Sequence, residues 1–438
     1  EQYEATQMAP KREIFAWAMF DFANSSYTTV VTTTIFNQYF VHDICKGLSI
    51  ADATFRLTLS LAIANGLVVV TAPLVGALAD AIGKKKFLLF IATSICVLTT
   101  AGLAFIQPGG VIMAMVLFIL SGFGFGTSEY LIAAFLPELA PKDRMGKVSS
   151  LGWTLGYIGG LVILGLCLAY VSWAQKQGQA STQFVPVTLL FVAAIFAAAS
   201  TPTFIWLKER AQAQSLTIDA SLPAALFKKA FGRIQATLKT TGRYRDLLTF
   251  LIALFCFSCG TTTVVALAAV YASEVMHFAT SETIAMVMLV QVSAAAGAFG
   301  LGSLQDKIGS IPTLSMALIL WVVAVAVAYF APDKLVFWIA ATLMGAAMGA
   351  TGSAARALVG QLAPRGQAAE FFGLWGLTVK LSAVVGPMTY GAITRMTGGN
   401  YRTALLSTIG FFILGLIVTL RVNQERGVKQ ASLAVDAA

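Results

Sequence analysis

The sequence predicts an all-α polytopic membrane protein, with twelve transmembrane helices in two pseudo-symmetric six-helix bundles. Three observations predict it: a composition suited only to lipid, twelve long apolar stretches, and a motif that recurs at a nearly constant offset in the two halves. The 438 residues are 58% hydrophobic and 11% charged, against about 25% charged in soluble domains. A helical span needs roughly 20 apolar residues. A lipid-facing barrel would instead show ~10-residue alternating segments, and none of the stretches alternates.

Cutting the chain where charges, Pro and Gly cluster gives the elements in order. Span 14–42 carries Asp21, Asn24, Ser25, Thr28 and Thr32 at helical spacing, with Tyr27 beside them, so one polar face is expected to line a watery cavity. Its length and polar content argue against a cleavable signal segment. Span 54–79 runs into Gly76-Ala77-Leu78-Ala79-Asp80-Ala81-Ile82-Gly83-Lys84, and span 86–106 follows. Span 111–138 places Gly122, Gly126 and Glu129 on one face and ends near Glu138 and Leu139-Ala140-Pro141-Lys142. Span 147–174 is glycine-rich at Gly152, Gly156, Gly159 and Gly160, which read most simply as close-packing positions. Trp153 and Tyr157 of this span, with Trp375, are candidates for the cavity wall or for helix packing.

Span 184–207 closes the first half, expected at 1–207. A basic linker, 208–244, follows, whose stretch 222–240 has the pattern of an amphipathic helix lying on an anionic membrane surface. The second half, 245–438, opens with span 245–273. The Cys256–Cys259 pair in that span is expected to be packing, not a metal or redox site. Span 283–304 leads to Gly302-Ser303-Leu304-Gln305-Asp306-Lys307-Ile308-Gly309-Ser310, a second GxLxDxIG. Span 311–331 precedes span 335–363, where Gly345, Gly349, Gly352 and Arg356 share a face, and Leu362-Ala363-Pro364-Arg365 repeats the earlier LAP-cation turn. Span 368–394 holds Glu370 and Lys380, and span 402–422 ends the bundle. Six spans repeated in parallel orientation, with a solute site between the halves, is a common transporter architecture.

The net charge of +9 is not a nucleic-acid footprint, because the basic residues take sides. Twenty-one of the 29 Lys and Arg fall on the side that holds the termini and six on the other, with Arg356 and Lys380 inside spans. Both termini are therefore expected to be cytoplasmic, and a bacterial inner membrane is the expected location. Neither a GxSxG elbow nor a GxxxxGK[ST] phosphate loop occurs, His42 and His277 lie near outer loops, and no metal cluster is visible. No enzyme activity, cofactor or metal is expected, and transport would be driven by a gradient instead of ATP.

A charge at the centre of a span costs at least ~2.5–3.5 kcal/mol on insertion scales and is retained where it faces a cavity or partner. Asp21 and Glu129 fall in the first half, Arg356 and Lys380 in the second. Three readings stay open: the four hold an acid or zwitterion between them, they pair with one another structurally, or Asp21 or Glu129 carries a coupled proton. The gate is expected at Gly76, Asp80, Gly83, Lys84, Asp306 and Gly309, where Asp80 can face a helix N-terminus. Glu138 and Glu370 are read as gate or loop-tether residues.

GxLADxxGKK after the second span, with its copy in the other half, resembles the signature cytoplasmic loop of the major facilitator superfamily. The superfamily's Arg motif in span four is not evident; Glu129 stands there instead. Trp17-Ala18-Met19-Phe20-Asp21-Phe22-Ala23-Asn24-Ser25-Ser26-Tyr27, Gly152-Trp153-Thr154-Leu155-Gly156-Tyr157-Ile158-Gly159-Gly160 and Ala369-Glu370-Phe371-Phe372-Gly373-Leu374 resemble the vacuole-effluxer-like family. That resemblance implies a major facilitator fold and a secondary active transporter acting as a monomer. It implies an amino-acid-like solute and export in preference to import; protons as a candidate coupling ion are expected from the intramembrane acids Asp21 and Glu129 instead. A lipid or amphiphile transporter, and a nutrient-sensing receptor on the same scaffold, are the alternatives.

Overall fold

In lipid every backbone N–H and C=O must be satisfied within the chain, so continuous apolar runs become helices. A computed structural model describes residues 7–210, 244–278, 280–364, 366–398 and 400–433. The described residues form α1 (Lys11–Tyr27), α2 (Ile50–Ile82), α3 (Lys85–Leu103), α4 (Val111–Ala133), α5 (Met145–Lys176) and α6 (Ser181–Trp206). The second half forms α7 (Arg245–Glu274), α8 (Thr280–Ile308), α9 (Ser310–Phe330), α10 (Lys334–Leu362), α11 (Ala368–Met396) and α12 (Tyr401–Thr419), followed by a short α13 (Gln424–Leu433). Among the described residues, α2 to α12 are 11 helices long and apolar enough to cross a membrane, and α1 completes the twelve. The amphipathic helix expected over 222–240 lies outside the described residues.

The first span departs from the single helix expected over 14–42. After Tyr27 the chain widens into π-helical turns at Thr28–Thr33 and Phe40–Ile44, joined by a short helix at Ile35–Tyr39. Crowded β-branched residues disfavour the regular turn, and local side chains take up the displaced carbonyls: Thr33 Oγ1 donates to Thr28 O at 2.8 Å and Thr34 Oγ1 to Thr29 O at 2.6 Å.

Packing obeys the internal repeat. In the first half α1 packs on α5 and α6, α3 on α4 and α6, and α2 on α4; in the second, α7 packs on α11 and α12, α9 on α10 and α12, and α8 on α10. The halves meet along two equivalent seams, α2 with α11 and α8 with α5. Small residues allow the approach: a Cβ on Gly76 would meet the Ala369 carbonyl, and one on Gly302 would meet the Ser150 side chain. Each GxLxDxIG motif ends in a glycine that must be left-handed, Gly83 at φ +62° and Gly309 at φ +93°.

Candidate functional site

Two clusters join the halves, a pair of carboxylate-capped helix N-termini at the terminal face and ion pairs nearer the membrane centre. Where the gate is expected, buried Asp80 accepts from the backbone N–H groups of Ala369 (3.1 Å) and Glu370 (2.8 Å), the first turn of α11. Asp306 accepts from those of Gly146 and Lys147, both 2.9 Å, in the first turn of α5. Each carboxylate thus faces the positive end of a helix from the other half. Glu370 is fully buried and contributes its N–H to Asp80.

Nearer the centre, Arg356 Nη1 reaches Asp21 Oδ2 at 2.7 Å, while its Nε and Nη2 donate to Ser149 Oγ (3.2 Å) and Ser149 O (2.8 Å). Its guanidinium lies 4.6 Å from the Trp17 ring centroid and 5.4 Å from that of Trp153. Gly152 lets α5 pass, since a Cβ there would collide with Asp21, Arg356 and Trp17. Lys380 Nζ pairs with Glu129 Oε2 at 2.9 Å and lies 5.0 Å from the Phe125 ring centroid, with the Glu129 side chain 27% exposed. All four intramembrane charges are therefore brought into two pairs, each with its acid on the first half and its base on the second.

The polar face of α1 is narrower than expected. Asp21, Ser25, Thr28 and Thr32 are partly exposed along one line. Asn24 and Tyr27 turn inward, because three and six residues at 100° each carry them off that line. Tyr27 is 1% exposed, its hydroxyl bonded to Ser121 Oγ at 2.8 Å, and Asn24 Oδ1 accepts from Ser128 Oγ at 3.5 Å. Both are first-half packing residues in this conformation.

Lys84, expected in the gate, is exposed, and the buried cation of this loop is the next residue. Lys85 is buried, pairs with Glu138 and lies 5.0 Å from the Phe135 ring centroid. Glu138 tethers a loop within the first half instead of bridging the halves. Its Oε2 accepts from Arg210 N at 2.7 Å, Arg210 reaches Glu13 at 2.8 Å, and Glu209 caps the N-terminus of α3 at Lys85 N. Burial raises the Glu209 carboxyl above its ordinary value, with nearby Lys85 opposing the shift.

The second half builds the same strap from mostly neutral residues. Gln424 Oε1 caps the N-terminus of α9 at Ser310 N (3.0 Å), its amide donates to Gln361 (3.0 Å), and Arg426 forks onto Asp246 at 2.7 and 2.8 Å. Sequence reasoning missed these straps, along with Trp17 and Ser149, because hydrophobic patterning does not report which polar groups meet at a face. The one available signal was the repeat itself, which aligns Glu138 with Gln361 through the LAP-cation turns.

Comparison with known proteins agrees with this architecture. The profile of a family described as "Vacuole effluxer Atg22 like" matches residues 44–432. "Uncharacterized MFS-type transporter YxiO" of Bacillus subtilis is 29% identical over 413 residues, 94% of each chain. Autophagy-related protein 22 of Yarrowia lipolytica is 25% identical over 339 residues, covering 71% of this chain and 56% of the fungal one. The chain therefore spans little more than half of that relative's length. The fold superposes on that of the proton:xylose symporter XylE with a TM-score of 0.72 at 15% identity, covering 98% of both chains.

Proposed function

Because the chain belongs to the Vacuole effluxer Atg22 like family and is a major facilitator superfamily transporter, we propose that it carries a small zwitterionic, amino-acid-like solute by alternating access. The observation that carries this reading is the pairing of acids on one half with bases on the other, Asp21 with Arg356 and Glu129 with Lys380. A buried charge left without a partner is costly. A zwitterion brings one ammonium and one carboxylate, so it can part the halves at a pair while leaving neither protein charge alone. Glu129 is the more exposed acid; at its pair it takes the ammonium group while Lys380 takes the carboxylate, and at the other pair Asp21 and Arg356 divide the two in the same way. A proton on Glu129 would free Lys380 in the same way, which makes Glu129 the proposed coupling group.

The basic terminal face is taken as cytoplasmic. Asp80 and Asp306 close that face, and transport requires both to leave the helix N-termini they cap. Direction then follows the gradients.

The test is purified protein in liposomes given labelled amino acids, small peptides, nucleosides and organic acids, with and without a pH gradient. Uptake of a zwitterion, stimulated by the gradient, is expected. Movement of a lysolipid with none of the polar solutes would sink the reading. An E129Q variant whose pH dependence matches the unaltered protein would remove Glu129 from coupling.

A further inference from the structure

Along α5 the side facing the other half carries polar groups well beyond the Asp21–Arg356 pair. Trp153 and Tyr157 lie one turn apart on it, their ring centroids 5.6 Å from each other. The Trp153 Nε1 and Tyr157 hydroxyl are both buried with no hydrogen-bond partner among the described residues. Their packing neighbours are apolar, Ala294 and Ala298 of α8 and Met348 of α10 against Tyr157 and Gly352 under the Trp153 indole, while the Asp21–Arg356 pair lies close enough to act on Tyr157 electrostatically without bonding either group. Phenylalanine would fill this space as well, without burying a donor. One turn beyond, Gln291 reaches over from α8: a Cβ on Gly160 would stand 2.5 Å from its Nε2 and 2.9 Å from Thr29 Oγ1. Gln291 makes no hydrogen bond among the described residues either. It lies mid-way along a 29-residue helix, where polar side chains mark solute pathways.

We propose that Trp153, Tyr157 and Gln291, flanked by Arg356, form the subsite that receives the carboxylate end of the transported solute. The proposal rests on the transport reading above and names the residues that decide its specificity. The donor balance decides the chemistry. An indole N–H only donates, an arginine has five N–H groups and no acceptor, and a phenol and a carboxamide both donate. Three of the Arg356 nitrogens each hold one partner already, so N–H groups remain to spare. Asp21 Oδ2, 2.7 Å from Arg356 Nη1, is an acceptor at the edge of this wall, so an incoming carboxylate takes its place on Arg356. The donors then available fit an oxyanion with several lone pairs, and the Arg356 charge favours a carboxylate over a neutral carbonyl. A site built to hydrogen-bond a group rejects analogues that lack it, because its own polar atoms are then left unpaired.

The experiment uses full-length protein, the twenty common L-amino acids and their carboxamides, and the variants Y157F, W153F and Q291L. Binding is read from half-saturation of transport and from ligand-induced shifts in melting temperature. The unaltered protein should favour an acid over its amide by tenfold or more, and Y157F and W153F should each weaken the acid by about tenfold. Empty Y157F should melt no lower than the unaltered protein, because it loses only an unpartnered buried hydroxyl. A Y157F that melts lower yet keeps its affinity, or equal binding of acid and amide, would overturn the subsite. Transport of an acid that none of the three variants alters overturns the subsite alone. An unaltered protein that no amino acid shifts and that moves none of them overturns the solute class as well.

Discussion

At the scale of single residues, the chemistry turns on Arg356. Its three nitrogens serve Asp21, Ser149 Oγ and Ser149 O at once, between two indole rings. A lysine carries the charge but not the planar fork, so R356K is expected to abolish most transport and to cost about 2 kcal/mol of stability through the lost charged hydrogen bonds. D21N strands the arginine and should cost about 3 kcal/mol, part of which the double variant D21N/R356Q recovers; thermal melts of the three proteins check it, and an unaltered D21N melt would dismiss the pair. The four charges were legible because each stands out against a run of apolar residues. Their partners were not, since pairing depends on how twelve helices are rotated about their axes. The same blindness singled out Lys84, which is exposed, over Lys85, one residue and 100° away, which is the buried cation of the strap.

Among the elements, the spans were legible nearly to their ends because insulating the backbone from lipid leaves one solution for an apolar run. The π-helical turns after Tyr27 were not, because they are settled by Thr side chains competing for nearby carbonyls. The straps after α6 and α12 show how a repeat sharpens a reading: Glu209 and Gln424 cap equivalent helices, α3 and α9, one with a carboxylate and one with an amide. Burial lifts the Glu209 pKa above its reference of 4.5. A raised folded-state pKa means that Glu209 favours the fold below the unfolded value and loses that contribution as pH rises through the folded one. E209Q installs the residue the other half already uses and stays neutral throughout. It should therefore match or exceed the unaltered melting temperature at pH 7, with the advantage fading at pH 4. A fall at pH 7 alone would mean that the carboxylate form is what holds the strap.

For the whole molecule, twofold equivalence makes the proposed gate a pair of like contacts, set beside the central ion pairs. Asp80 on α11 and Asp306 on α5 are symmetry counterparts, and the cross-half contacts around them cluster toward the terminal ends of α2, α5, α8 and α11. The terminal-closed state is thus held by two charge-assisted caps, each of about 1.5 kcal/mol. Removing the charge from one, as D80N or D306N, should shift the closed-to-open ratio roughly tenfold, and removing both roughly a hundredfold. Arg144 and Lys307 are exposed on opposite sides of that gate, so spin labels there report the separation directly. The unaltered protein should give one short distance, the single variants a similar admixture of a longer one, and D80N/D306N a majority of it. Equal effects from D80N and D306N would mean that the charged strap beside Lys85 leaves the gate untouched. A larger effect from D80N would tie the two together, since Asp80 acts on the same buried Lys85 that Glu138 and Glu209 hold. An unchanged distance distribution in the double variant would show that helix packing at Gly76 and Gly302, not the caps, keeps this face closed.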